Sequence, residues 1–325
     1  MPTAVIADRC PGVLRLHEAA DGRLARVRVP GGRIAPDALE AIADVAERGN
    51  GIIEITSRAG IQIRGLAAGD GGACADRLAA AGLLPSPDHE RARNILASPV
   101  AGRHPGSTED VDGVVRELDA ALCADPDLAT LSGRFLFAVL DGSRTLDARR
   151  ADVIVRSSDD IPRALAAARA ACAGQASADA CRTGPSELRS GVLTQRDGRS
   201  AITATVPLAR LSPGATRSLA ALAREHATDV RIAPERTVTF VDVDSSRAPE
   251  VLAALSELGL ITEPSGWTGL TACAGLGACT KAEADVRALA AARAAVRHAN
   301  DPPEHWAACA RGCGRPPGVA LKGAG

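Results

Sequence analysis

The sequence predicts an α+β protein built on an internal duplication, and three observations carry that expectation. A unit made of a helix and a following hairpin occurs twice, about 177 residues apart. The stretch between the two copies alternates apolar strand-like runs with amphipathic helical ones. Two pairs of cysteines, Cys273 with Cys279 and Cys309 with Cys313, flank a strong helix former near the end of the chain.

The first copy follows Cys10-Pro-Gly. Val13-Leu-Arg-Leu, the turn Ala20-Asp-Gly and the alternating run Leu24-Ala-Arg-Val-Arg-Val predict a hairpin. Pro36 stands near the first turn of a helix over 37–48, whose Leu39, Ile42, Val45 and Ala46 share one apolar face; Gly49-Asn-Gly ends it. Ile52-Ile-Glu-Ile-Thr and Ile61-Gln-Ile-Arg are strands joined by the turn Ser57-Arg-Ala-Gly. Beyond Arg93-Asn-Ile-Leu, the pattern predicts a helix over 111–122. A loop, Thr130-Leu-Ser-Gly-Arg, then enters a buried strand at Phe135-Leu-Phe-Ala-Val, followed by a strand at Asp152-Val-Ile-Val and a helix over 161–173. Small residues, Pro and Gly make 174–185 the best linker, with 67–72 a second.

The second copy runs from Val206-Pro-Leu-Ala-Arg-Leu-Ser-Pro through a helix over 214–225 to Val230-Arg-Ile-Ala-Pro-Glu-Arg and Thr237-Val-Thr-Phe-Val. Arg33 then matches Arg210, and Arg58 matches Arg236. Two such copies are expected to pair into one pseudo-twofold unit that brings the arginine-bearing turns together. A short helix over 251–258, Trp267 and a long helix over 281–298 complete the order before Asp301-Pro-Pro-Glu.

Composition narrows the function. The 325 residues suffice for two or three domains with their own cores. A net charge of −1 gives no general attraction to polyanions, and 2% aromatics with no tyrosine argue against base stacking, so a nucleic-acid partner is not expected. No run approaches the length of a membrane span, and Met-Pro-Thr-Ala-Val-Ile-Ala-Asp lacks the features of an export signal. Nine cysteines, an odd number in a large chain, fit a reducing cytoplasm better than a disulfide scaffold. Cys10, Cys74, Cys123, Cys172 and Cys181 are scattered and read as inert thiols. No G-x-G-x-x-G follows a strand and opens a helix, so no nicotinamide site is expected.

Cys273, Cys279, Cys309 and Cys313 are different. Four thiolates in two close pairs can reach one centre, and soft sulfur ligands suit an iron–sulfur cluster or zinc. The five residues inside the first pair favour a [4Fe–4S] cluster, because zinc pairs usually enclose two to four. Gly275 and Gly277 allow the close backbone approach that a sulfide-rich core needs. Zinc and unligated buried thiols remain the alternatives.

The cysteine spacing, the Thr56-Ser-Arg-Ala-Gly-Ile-Gln-Ile-Arg-Gly segment, Arg93-Asn, the Leu-Ser-Gly-Arg-Phe loop and the repeat together resemble the sulfite/nitrite reductase superfamily over about 10–313. The resemblance implies duplicated ferredoxin-like half-domains plus α/β cluster-binding domains. The expected divisions are a first half-domain over 1–85, a tetrapyrrole-binding middle over 86–185, a second half-domain over 186–260 and a cysteine segment over 261–325. In that superfamily the last cysteine, here Cys313, bridges the cluster to a tetrapyrrole iron. Arg58, Arg64, Arg93 and Arg134 match positions that hold siroheme carboxylates, with Arg236 a weaker candidate from the second copy. Arginine's fixed fork of donors suits such carboxylates.

Within the superfamily, Cys10-Pro-Gly-Val-Leu-Arg, Pro30-Gly-Gly-Arg and Cys-Ala-Arg-Gly-Cys-Gly-Arg-Pro look most like the precorrin-3B synthase family. That implies an iron–sulfur monooxygenase. It would hydroxylate precorrin-3A with O2 and close a γ-lactone, drawing electrons from a ferredoxin or a NAD(P)H-dependent reductase. The position after Phe135, a lysine in sulfite reductases, is Leu136 here, which disfavours a small anion as substrate. His305 is expected to pack or cap, with cluster tuning or a mononuclear non-haem iron as its other roles. The competing readings are a siroheme-dependent sulfite or nitrite reductase and a non-catalytic tetrapyrrole-binding or zinc-stabilised module. Superfamily members usually continue further past the last cysteine than Gly325, so a shortened cluster cover is expected.

Overall fold

The computed structural model describes residues 10–175 and 183–323. Most of the linker read at 174–185, with Cys181, lies outside the described residues, as do the first nine residues.

The first copy contains strands β1 (His17–Ala19), β2 (Gly22–Val27) and β3 (Arg33–Ile34), helix α1 (Pro36–Glu47), strands β4 (Ile53–Ile55) and β5 (Ile61–Leu66), and helix α2 (Gly71–Ala80). Two expectations shift here. Val13–Leu16 bends instead of forming a strand, because Gly12 N–H turns back to Arg15 O and the Glu90 carboxylate takes the N–H groups of Val13 and Leu14 at 2.6 and 3.1 Å. The second linker is a tight turn into α2, closed by Asp70 accepting from Ala67 N–H at 2.8 Å.

The middle unit has β6 (Ile95–Ala97), α3 (Asp112–Ala124), β7 (Phe137–Val139), β8 (Val153–Val155) and α4 (Ile161–Cys172). Its three strands are parallel in the order β6-β7-β8, with α3 crossing over from β6 to β7 and a loop from β7 to β8. They form a separate core with Leu118, Leu122 and the edge-to-face pair Phe135–Phe137.

The second copy repeats the first with β9 (Gly191–Thr194), β10 (Ser200–Thr205), β11 (Arg210–Leu211), α5 (Pro213–Glu225), β12 (Val230–Ile232), β13 (Thr237–Val243) and α6 (Ala248–Glu257). Each copy lends its two-residue strand to the other. The sheets run β1-β2-β5-β4-β11 and β3-β12-β13-β10-β9, with Arg210 opposite Glu54 and Arg33 opposite Arg231. Helices α1 and α5 each begin on a proline at the first turn and pack their apolar faces together, so one core joins Ile42, Val45 and Ile63 to Leu219, Val230 and Phe240. Arg217 and Arg224 of α5 line the seam with ion pairs to Asp44, Glu47, Glu40 and Asp37.

The last unit is a parallel three-stranded sheet, β14 (Leu270–Ala272), β15 (Glu304–Ala307) and β16 (Ala320–Gly323), with α7 (Val286–Ala294) as the crossover. Helix α7 is half the expected length. Asp285 caps it by accepting from Ala288 N–H, which leaves Lys281 and its neighbours in the loop after Cys279.

Candidate active site

The cysteine pairs sit where β14 and β15 end. Cys273 follows β14 directly and Cys309 lies two residues past β15, so both pairs lie beyond the carboxyl edge of a parallel sheet, where loops are free to enclose a ligand. Cys273 N–H donates to Trp306 O at 2.9 Å, and Ala308 N–H donates to Cys273 Sγ at 3.3 Å. Gly275 and Gly277 both take left-handed φ, 76° and 82°, as the turn within the first pair requires. Burial pushes the Cys313 thiol up, Arg311 opposes this, and the thiols of Cys309, Cys273 and Cys279 add to it. The four sulfurs therefore share one electrostatic neighbourhood.

Two arginines from the half-domains and one from α7 hold the first loop by its carbonyls. Arg64 donates to Ala278 O at 2.7 Å, Arg210 to Ala274 O at 3.4 Å and Arg287 to Cys273 O at 3.3 Å. The second loop is held by His305, which is fully buried on β15. Its Nε2 faces Cys313 O at 3.1 Å, a group that only accepts, so Nε2 carries the hydrogen and Nδ1 accepts from Thr271 Oγ1 at 2.8 Å. Burial, then Arg236, pulls the imidazole down to about 4. With both nitrogens engaged, His305 has none to offer a non-haem iron; it is a capping histidine.

Against these loops lies a cavity of about 770 Å³ whose wall includes Cys273 and Cys313. Among the described residues, nine arginines line it and Glu54 is the single lining carboxylate, already paired with Arg210 at 2.9 Å. Such an excess of positive charge over a half-enclosed space matches a ligand bearing several carboxylates.

Arg58, Arg93, Arg134 and Arg236 reach the wall from different units. Arg134 is exposed, and among the described residues it has no carboxylate partner. Arg58 donates to Gly133 O at 3.4 Å, and burial lowers its affinity for the proton. Arg93 is less free, with a two-pronged pair to Asp119 at 2.7 Å on each arm. Arg64 does not line the cavity; it is locked to Asp21 by two bonds of 2.8 Å and to the cysteine loop. Arg236 is buried and pulled down to about 10 by desolvation. Its match to Arg58 is one residue out. The turn hydrogen bonds Ala59 N–H to Thr56 O and Arg236 N–H to Ala233 O, and the positive φ at Ala59 and Arg236, make Ala59 the partner of Arg236 and Glu235 that of Arg58.

Sequence reading missed Arg26, Arg28, Arg150, Arg287 and Arg311, together with Cys10 on the same wall. Arg26 and Arg28 were findable: Arg26 in β2 and Arg28 just past its end alternate with the buried Ala25 and Val27, which marks them for the opposite sheet face from the core. Arg28 is buried with Nε and Nη2 unpartnered, and desolvation, then Arg26, draws it down to about 9. Leu136 turns into the core while its N–H donates to Asp152 at 2.8 Å.

Comparison with known proteins agrees with this architecture. The family described as the Nitrite/Sulfite reductase ferredoxin-like half domain matches residues 16–81 and 193–258, so the chain carries that half domain twice. A curated protein named precorrin-3B synthase from Sinorhizobium sp is 37% identical over 114 residues, covering 35% of this chain and 24% of its own length. A ferredoxin–nitrite reductase from Synechococcus elongatus is 31% identical over 126 residues, 37% of this chain and 25% of its own length. The matches thus span about a quarter of each curated relative. The structure of the Mycobacterium tuberculosis NirA protein superposes with a TM-score of 0.74 at 18% identity, covering 90% of this chain and 69% of that one, which shows a common fold.

Proposed function

We propose, from a chain that carries the nitrite/sulfite reductase half domain twice, that it is an oxidoreductase acting on a polycarboxylate tetrapyrrole. Cys273, Cys279, Cys309 and Cys313 are its [4Fe–4S] ligands. The observation that carries this reading is the arginine-lined cavity with two of those four cysteines in its wall. Arg58, Arg134 and Arg236 act as carboxylate clamps, joined by Arg26 and Arg28; Arg64 and Arg93 hold the frame behind them.

The five residues inside the first cysteine pair support a cluster over zinc, whose pairs usually enclose two to four. A cluster supplies one-electron transfer.

The specific reaction we infer is the conversion of precorrin-3A to precorrin-3B in aerobic cobalamin synthesis, in the cytoplasm. Its support is the Sinorhizobium match and the apolar, core-directed Leu136 where a second loop cation would serve a small anion. Hydroxylation puts one atom of O2 into the macrocycle and releases the other as water. It consumes two electrons and two protons, which a ferredoxin or a NAD(P)H-dependent reductase would deliver. The second reading, a siroheme-dependent nitrite or sulfite reductase, is favoured by the place of Cys313 on the cavity wall and by the Synechococcus match.

Anaerobic purification followed by iron and sulfide quantitation and a visible spectrum tests this. About four iron and four sulfide per chain without siroheme bands is the expected result. Siroheme bands select the second reading. Zinc, or no metal after reconstitution, overturns the cluster assignment.

A further inference from the structure

Three cavity arginines hold the cysteine-bearing loops through backbone carbonyls. Arg236 donates to Gly314 O at 3.0 Å, Arg150 donates to Arg315 O, and Arg287 donates to Cys273 O at 3.3 Å. All three line the cavity, and among the described residues none has a carboxylate oxygen within 4.0 Å. Two of these carbonyls immediately follow Cys313, whose own carbonyl is taken by His305. Beyond these, Arg315 Nε donates to Val319 O at 2.6 Å. Gly312 and Gly314 adopt left-handed φ of 56° and 85°, and the segment's internal backbone bonds are Gly312 N–H to Cys309 O and Arg315 N–H to Gly312 O.

A guanidinium can meet an ionised carboxylate through two parallel charge-assisted bonds, whereas a backbone carbonyl offers it one neutral acceptor. A carboxylate entering the cavity therefore competes for the same donors that hold the loop. We propose that Arg150 and Arg236 couple occupancy of the cavity to the placement of Cys313. An anionic ring that recruits these two arginines loosens Gly314 and Arg315, and a loop that keeps them weakens the ring's hold in equal measure, because such coupling is reciprocal. The inference rests on the tetrapyrrole reading of the cavity. It does not require a cluster to be bound, since the contacts run to the backbone.

Amide hydrogen exchange over 309–316 in the full-length, metal-free protein tests it, with uroporphyrin, a planar octacarboxylate, as the probe. Without probe, Arg150→Met and Arg236→Met are each expected to raise exchange there about fivefold or more. Arg134→Met, on the same wall but with no loop carbonyl to hold, should match the wild type. Uroporphyrin should raise exchange in the wild type and have no further effect in the Arg150→Met/Arg236→Met double variant. Arg150 is exposed, so its variant keeps the test available if the Arg236 variant does not fold.

Wild-type exchange in the single variants overturns the proposal. So does slower exchange with uroporphyrin bound, the mark of a ring that merely covers the loop. Failure of uroporphyrin to bind the wild type overturns the tetrapyrrole reading and the coupling with it; the ligand-free variants then show whether the arginines serve the loop alone.

Discussion

His305 meets a hydroxyl on one side of its ring and a carbonyl on the other, with no surface exposed to water. His305→Phe keeps a planar ring but leaves Cys313 O without this donor and Thr271 Oγ1 with only its longer bond to Glu304 O at 3.4 Å. We expect a loss of about 1–3 kcal/mol in urea unfolding, with His305→Gln, which retains a donor, losing less. Cys313→Ser should cut bound iron and sulfide to a minor fraction of wild type, and full retention in metal analysis would remove Cys313 from the ligand set. At this scale the sequence was informative where chemistry is local. Four cysteines in two pairs announce themselves by spacing alone. Arg150, Arg287 and Arg311 do not, because one comes from the middle unit and two from the last, and only the packed fold brings them to one wall.

Among elements, the two copies differ most where they cross. Gly31 and Gly32, with φ of 65° and 72°, precede β3; the second copy puts Leu208 and Ala209 in the same left-handed conformation, at 49° and 64°. A Cβ on Gly32 would stand 2.1 Å from Ile232 O, in the middle of the β3–β12 crossing. Gly32→Ala should therefore cost at least about 2 kcal/mol in chemical denaturation, the left-handed strain plus the broken pairing. Ala209→Gly works the other way. Relief of roughly 1–2 kcal/mol of strain outweighs about 0.5–1 kcal/mol of added chain entropy, so a small rise in melting temperature is expected. The helices and hairpins were legible through periodicity and turn residues. The exchanged strands were not, because two residues carry no period, and the one-residue offset between Arg58 and Arg236 shows that side-chain likeness is a poorer guide to register than turn geometry.

For the whole molecule, the middle unit is tied to the second copy by Asp112 at the start of α3. Its carboxylate meets the buried Arg231 at 2.6 and 2.9 Å and Arg103 at 3.4 Å. Asp112→Ala strands the Arg231 charge inside the protein and should cost about 3–5 kcal/mol. These arginines hold the Asp112 carboxyl below its ordinary range even though burial pushes it up. The folded value lies below the unfolded one, so the pair's stabilisation is present above the unfolded carboxylate pKa and is lost as pH falls through the lower, folded value. Asp112→Asn should flatten that acid limb in urea titrations taken at successive pH values. The Asp112–Arg231 pair had no trace in the sequence, since its partners stand 119 residues apart.

The reciprocal loan of β3 and β11 also bears on ancestry. One copy alone leaves the edge of its sheet unfilled, and a second, identical copy fills it by giving the same strand in return. A single copy would fill that edge only in a strand-swapped homodimer, whose assembly would depend on concentration. Joining the copies made the association intramolecular. It also frees the two halves to differ: Arg58 stands on the cavity wall, while Glu235, at the equivalent turn position of the second copy, does not line it.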